Sequence, residues 1–111
     1  MIMKVSELIE NLNLTLVTDN NYEDREVKGC YIGDLLSWVM GHANEGEILV
    51  TIMSNMNVLA VASLLELSLV ILSEGVVPDR EFIETASAKG INVATSELTT
   101  YEVCAKLAQM L

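Results

Sequence analysis

At 111 residues, 51% of them hydrophobic and 20% charged, the chain can bury a single core and is too apolar to be disordered. Its formal net charge is −10, and its six basic residues (Lys4, Arg25, Lys28, Arg80, Lys89 and Lys106) are scattered. Nucleic acids and anionic membranes are both held by Lys and Arg on phosphate, so neither is expected as a partner.

The N-terminus opens with Val5, Leu8, Ile9 and Leu12 at helical spacing, and Ser6 is placed to cap a short helix over residues 6–11 with Glu7 in its first turn. Leu12, Leu14 and Leu16 then alternate with polar residues, which predicts a half-buried strand over 14–18. Residues 19–26 (DNNYEDRE) read as an exposed loop. Residues 27–32 (VKGCYI) read as a strand with Gly29 inside it, where glycine marks a bulge or a close backbone approach. Asp34 is expected to cap a helix over 35–42. That helix is apolar on nearly every side (Leu35, Leu36, Trp38, Val39, Met40), so part of it should lie between layers or under a second subunit.

Residues 48–72 form the most apolar stretch, with one charge, Glu66, and neither Gly nor Pro. A transmembrane helix is the rival reading. Ser54, Asn55 and Asn57 would then sit unpaired in hydrocarbon, and the flanks carry Glu45, Glu47 and Glu74 where Lys or Arg would anchor a span. Two β-branched runs with an Ala-containing piece between them predict instead a strand (48–53), an elbow (54–57), a helix (58–67) and a strand (68–72), which is a βαβ unit. Asp79 should cap the next helix, which carries Phe82, Ile83 and Ala86 inward and ends at Gly90. A short strand over 91–94 follows. Thr99 and Glu102 fit a capping box before a last helix with Val103, Cys104, Leu107, Ala108 and Leu111 on one face. The order βαβαβα from residue 48 predicts an α/β fold, an open, mostly parallel sheet with helices on both faces, as one domain over 1–111.

Ligands of such sheets collect beyond the carboxyl ends of the strands. Here those ends supply Asp34, Ser54, Asn55, Asn57, Ser73, Glu74 and Thr95 as candidate ligand-binding residues. Helix N-termini can hold an anion without a basic side chain, so a small phosphorylated ligand is compatible with the acidic charge. The same residue types are also what caps and turns require, and that simpler reading accounts for each of them singly. No G-x-x-x-x-G-K-[ST], G-x-G-x-x-G or G-x-S-x-G motif occurs. Cys30, Cys104 and the single histidine, His42, cannot make a zinc set. His42 reads as a helix C-terminal residue and Cys30 as a buried thiol rather than a reactive one. Neither a catalytic residue, a metal nor a cofactor is expected. An enzyme with Asp34 or Glu74 as base is the third reading, since no partner for either base is evident. No leader segment is evident before the domain, and two unpaired thiols are expected in a cytoplasmic protein.

The runs GCYIGDLLSWVMGHA, ILVTIMSNMNVLAVASL and LVILSEGVVPDREFIETASAKGINVATSELTTYEVCAKL resemble the DRTGG domain from about residue 27 to the C-terminus. Related domains occur in some phosphotransacetylases and in inorganic pyrophosphatases regulated by nucleotide-binding CBS modules, and the amino-terminal domain of HPr kinase/phosphorylase is similar in fold. The resemblance implies a small α/β fold, a regulatory or scaffolding role and frequent dimerisation. Short relatives accompany iron-only hydrogenase genes. The sequence departs from the family pattern at both signature turns. Met53-Ser54-Asn55 stands where a Gly-Asp-Arg-like elbow is usual, and Ser73-Glu74-Gly75 replaces Thr-Gly-Gly. The elbow Arg is thus missing and Glu74 takes a glycine position, which removes the basis for an anion held by that Arg. The P-loop kinase domain is absent from this sequence, so HPr phosphorylation is not implied. The expected function is a non-catalytic regulatory or interaction module, a homodimer joined through Leu35, Trp38 and Met40, with a partner protein or a small ligand at the strand ends. The alternative is a nucleotide or phosphometabolite sensor.

Overall fold

The computed structural model describes residues 2–18 and 22–111. Its frame is a five-stranded sheet in the order β2-β7-β6-β5-β4: β2 (Thr15–Leu16), β4 (Gly29–Ile32), β5 (Glu47–Thr51), β6 (Leu69–Leu72) and β7 (Val93–Thr95). β4, β5, β6 and β7 run parallel, with Cys30 beside Ile48, Ile48 beside Leu69 and Val70 beside Val93; β2 joins β7 antiparallel. A two-stranded antiparallel ribbon of β1 (Met3–Lys4) and β3 (Glu26–Val27) stands apart. The expected α/β class with a mostly parallel open sheet is what the structure has.

Strand alternation sorts the core into two layers. Leu49, Val70, Leu72 and Val93 face α2 (Leu36–His42), α3 (Met56–Leu65) and α4 (Arg80–Ala88), where they meet Val39, Leu59 and Phe82. Ile48, Val50, Leu69, Ile71 and Ala94 face α1 (Val5–Asn11) and α5 (Thr100–Met110), where they meet Leu8, Val103 and Leu107. Phe82 is almost fully buried, and its replacement by alanine should cost about 3–5 kcal/mol.

Residues 48–72 are therefore strand, helix and strand, and no helix of the described residues is long and apolar enough to cross a membrane. The observed helix begins two residues earlier than expected and ends at Glu66, whose left-handed backbone (φ 55°) turns the chain toward β6. Local chemistry explains the other ends. Asp79 Oδ1 accepts from the Phe82 amide at 2.9 Å. Gly90, at φ 69°, closes α4 by letting the Ile91 amide reach the Ala86 carbonyl. At α5, Thr99 Oγ1 accepts from the Glu102 amide and Glu102 Oε1 accepts from the Thr99 amide, the expected capping box.

Four local expectations are corrected. Ser6 does not cap α1; it lies within the helix, its amide and hydroxyl both donating to Asp24, while Glu7 reaches back to the Lys4 amide. Residues 27–32 are not one strand, because the chain leaves the ribbon at Val27 and enters the sheet at Gly29, with the Lys28 amide turned to the Gly46 carbonyl. The last strand is shifted to Val93–Thr95. Asp34 does not cap α2, which starts behind Leu35 without a side-chain cap. Of the expected loop over 19–26, residues 19–21 lie outside the described residues and Glu26 belongs to β3.

Candidate functional site at the carboxyl edge of the sheet

The parallel strands end on one rim, and each exit is closed by a different polar cluster. At β4 and β5, Asp34 Oδ1 accepts from Thr51 Oγ1 at 2.8 Å and from the Ile52 amide at 3.2 Å, while Thr51 Oγ1 accepts from the Met53 amide. Thr51 is almost fully buried, so the carboxylate fastens one strand exit to its neighbour. At the elbow, Asn55 Oδ1 accepts from the Asn57 amide and caps α3; Ser54 stands half-buried beside it.

The exits of β6 and β7 differ from the rest. β6 leads to α4 on one face and β7 leads to α5 on the other, so the two loops part and leave the kind of crevice in which α/β sheets bind ligands. Here the chain fills that crevice itself. The Glu74 amide donates to the Leu98 carbonyl at 2.8 Å, the Gly75 amide to the Ser96 carbonyl at 2.9 Å, and the Ser96 amide to the Leu72 carbonyl at 2.9 Å. The buried Ser73 hydroxyl pairs with Thr100 Oγ1 at 2.7 Å, and Glu74 Oε2 accepts from the Thr100 amide at 2.7 Å. Glu74 thus places a carboxylate at the first turn of α5, the position a bound anion would take. Both Glu74 and Gly75 have positive φ (64° and 70°), which gives a physical reason for two glycines at these positions and shows that Glu74 holds its place under strain.

Of the seven candidate residues, Ser73 and Glu74 share a cluster around Thr100, Asp34 belongs to the Thr51 cluster, and Asn55 serves α3. Thr95 lines a separate polar cavity of about 400 Å³ with Asn13, Thr15, Ser96, Glu97 and Lys106. Asn57 faces the groove between α2 and α3 rather than the crevice. Thr51, Ser96 and Thr100 complete these clusters and were missed. Thr99-Thr100 carries a capping signal, but nothing local indicates which threonine reaches Ser73.

His42 ends α2, where its Nδ1–H donates to the Trp38 carbonyl at 2.8 Å and its ring stacks on Trp38 at 4.0 Å. Cys30 and Cys104 are free and line one apolar cleft of about 220 Å³ between β4 and α5. Burial pushes the Cys30 thiol up to about 12, with Cys104 and Glu47 adding to the rise; burial also raises Cys104. Neither thiol is activated as a nucleophile. Among the described residues no three His, Cys, Asp or Glu side chains converge to hold a metal.

The exposed apolar surface is concentrated on the α2 side. Leu35 is 66% and Trp38 56% exposed, with Met40 and Leu64 also open to solvent. α2 and α3 contain no Asp, Glu, Lys or Arg. The expected dimer trio is divided by this geometry. Met40 lines the α2–α3 groove with Asn57 and Leu64, whereas Trp38 points to the other side of α2, stacked on His42.

Comparison with known proteins gives a family and a fold. The DRTGG domain matches residues 7–110. The chain is similar, at a TM-score of 0.76 and 20% identity, to the crystal structure of the CBS and DRTGG domains of the regulatory region of Clostridium perfringens pyrophosphatase, complexed with its activator diadenosine tetraphosphate. The similarity covers 96% of this chain and 46% of that one, so the chain spans about half the length of that region. No curated protein matches.

Proposed function

The chain belongs to the DRTGG domain family, and from that premise we propose that it is a non-catalytic regulatory module of the cytoplasm that acts by contact with another protein surface. One observation carries this reading: the crevice between the β6 and β7 exits is closed by the chain's own hydrogen bonds, with Glu74 in the anion position. A phosphate entering there would meet a carboxylate 2.7 Å from the amide it needs. The polar side chains at the rim are engaged in capping and strand fastening, and no nucleophile–base pair stands among those described. What remains uncommitted is uncharged apolar surface on α2 and α3, which is the material of protein interfaces. The net charge of −10 makes a nucleic acid an unfavourable partner.

The second reading, a nucleotide or phosphometabolite sensor using Ser54, Asn55, Asn57, Ser73 and Thr95, is favoured by the nucleotide activator bound to the similar pyrophosphatase regulatory region. Thermal unfolding in the presence of adenine and guanine nucleotides and simple phosphorylated metabolites separates the two. A ligand selective for the folded state raises the melting temperature by mass action. Contact with protein alone predicts an unchanged transition at millimolar ligand, whereas a saturable rise assigns the sensor role.

A further inference from the structure

The two edges of the sheet are treated differently. β2 is two residues long and antiparallel, a blunt edge. β4 is four residues long, pairs only with β5 among the described residues, and consists of Gly29, Cys30, Tyr31 and Ile32, without charge or proline. Natural sheets guard such an edge with Lys, Pro or a covering segment. The Lys28 amide is given to Gly46 on the β5 side. By strand alternation the backbone groups of Gly29 and Tyr31 then face the open side.

Both flanks of this edge are apolar. On one face of the sheet, Leu35, Trp38 and His42 share the side of α2 turned away from the α3 groove, and the His42 ring lies 6.5 Å from that of Tyr31 on β4. On the other face, Cys30 and Ile32 line the cleft with Cys104, Ala108 and Leu111 of the C-terminal segment.

We propose that β4 pairs antiparallel with β4 of a second copy of this chain, about a two-fold axis at Tyr31, so that two five-stranded sheets join edge to edge. In this register the outward groups of Tyr31 bond to those of the second copy's Tyr31, and Cys30 lies opposite Ile32. Lys28 at one end lies opposite Asp34 at the other, twice over. The segment is therefore self-complementary in charge, as an isologous contact must be. A foreign strand would have to reproduce that order of charges in reverse. Two copies of net charge −10 repel, and β4 with α2 offers them an approach free of acidic side chains between Gly29 and Gly33. Leu35 and Trp38 then meet their counterparts across the axis, while Met40 stays outside it. The pairing goes beyond the proposed interaction role, which a monomer bound to some other protein would still satisfy.

Sedimentation of the full chain tests this with two substitutions at Ile32, which is half exposed and outside the core. The wild type should sediment as a dimer at micromolar concentration. Ile32→Lys should weaken the dimer by about tenfold or more, as a guarded edge does, and Leu64→Lys in the α3 groove should leave it unchanged. In a Cys104→Ser background, Ile32→Cys treated with diamide, which takes two electrons and two protons from a pair of thiols, should give a covalent dimer through Cys30 of the second copy; Leu64→Cys should not. A wild-type monomer throughout the concentration range overturns the pairing. So does a dimer that Leu64→Lys dissociates and Ile32→Lys does not. Thermal unfolding with nucleotides tests the interaction role independently, so the two proposals can fail separately.

Discussion

Glu74 holds the backbone amide of Thr100 with its carboxylate while standing in a left-handed conformation that L residues avoid. The contact sets a favourable charge at a helix N-terminus against backbone strain, each of about 1 kcal/mol. Glu74→Ala keeps the strain and loses the charge, so it should lower unfolding stability by about 0.5–1 kcal/mol. Glu74→Gly loses the charge and releases the strain, so it should be close to neutral. Urea unfolding of both variants reads the order, and alanine as the milder change would contradict this account of the turn.

Asp34 is the rim residue whose loss should matter most. Removing it leaves the buried Thr51 hydroxyl without its acceptor, and Asp34→Ala should cost about 1–3 kcal/mol in urea unfolding. Asp34→Asn retains an oxygen acceptor and should recover most of that loss. Equal damage from both would place the effect on the charge instead of the hydrogen bond.

The capping box of α5 predicts an acid-sensitive helix end. The Thr99 amide, and then its hydroxyl, hold the Glu102 carboxyl below its ordinary value of 4.5. A depressed folded-state value contributes stability that is present above the unfolded value and is lost as pH falls through the folded one. Glu102→Gln should therefore lower the urea midpoint at neutral pH and make no difference once the carboxyl of the wild type is protonated. Thr99→Ala should cost about 1 kcal/mol at neutral pH.

Cys30 predicts the opposite limb. Its thiol is raised from 9.0 to about 12, so the neutral form is favoured in the folded state. That contribution is complete below the unfolded value near 9 and disappears as pH rises toward 12. Wild-type stability should fall over this window more steeply than that of Cys30→Ala. At pH near 8, iodoacetamide should modify Cys30 slowly in the native protein and quickly in urea, as read by peptide mass.

The parts of the fold legible in the sequence were those set by neighbours along the chain. Asp79 with Phe82, Thr99 with Glu102, and Gly90 after Ala88 lie within a few residues of the groups they satisfy, and the apolar runs around Ile48 and Leu69 have strand length. The misreadings involve partners distant in sequence. Asp34 looks like a cap but serves Thr51, 17 residues on, and Ser6 serves Asp24, 18 residues on. The division of Trp38 from Met40 depends on which side of α2 faces α3, a matter of tertiary packing. That Glu74 replaces a glycine was visible in the resemblance, but only the fold shows its carboxylate occupying the crevice. The open edge of β4 was invisible because strand order is not written in any one strand.

Amide hydrogen exchange at Tyr31, followed as a function of protein concentration, bears most directly on how this molecule meets its partner. Its outward N–H should exchange rapidly in dilute solution and become protected as concentration rises, together with that of Gly29, while the amides of α3 stay unchanged. Rapid exchange at Tyr31 at every concentration, with protection gained on α3 instead, would contradict the pairing of β4 and move the contact surface to the other side of α2.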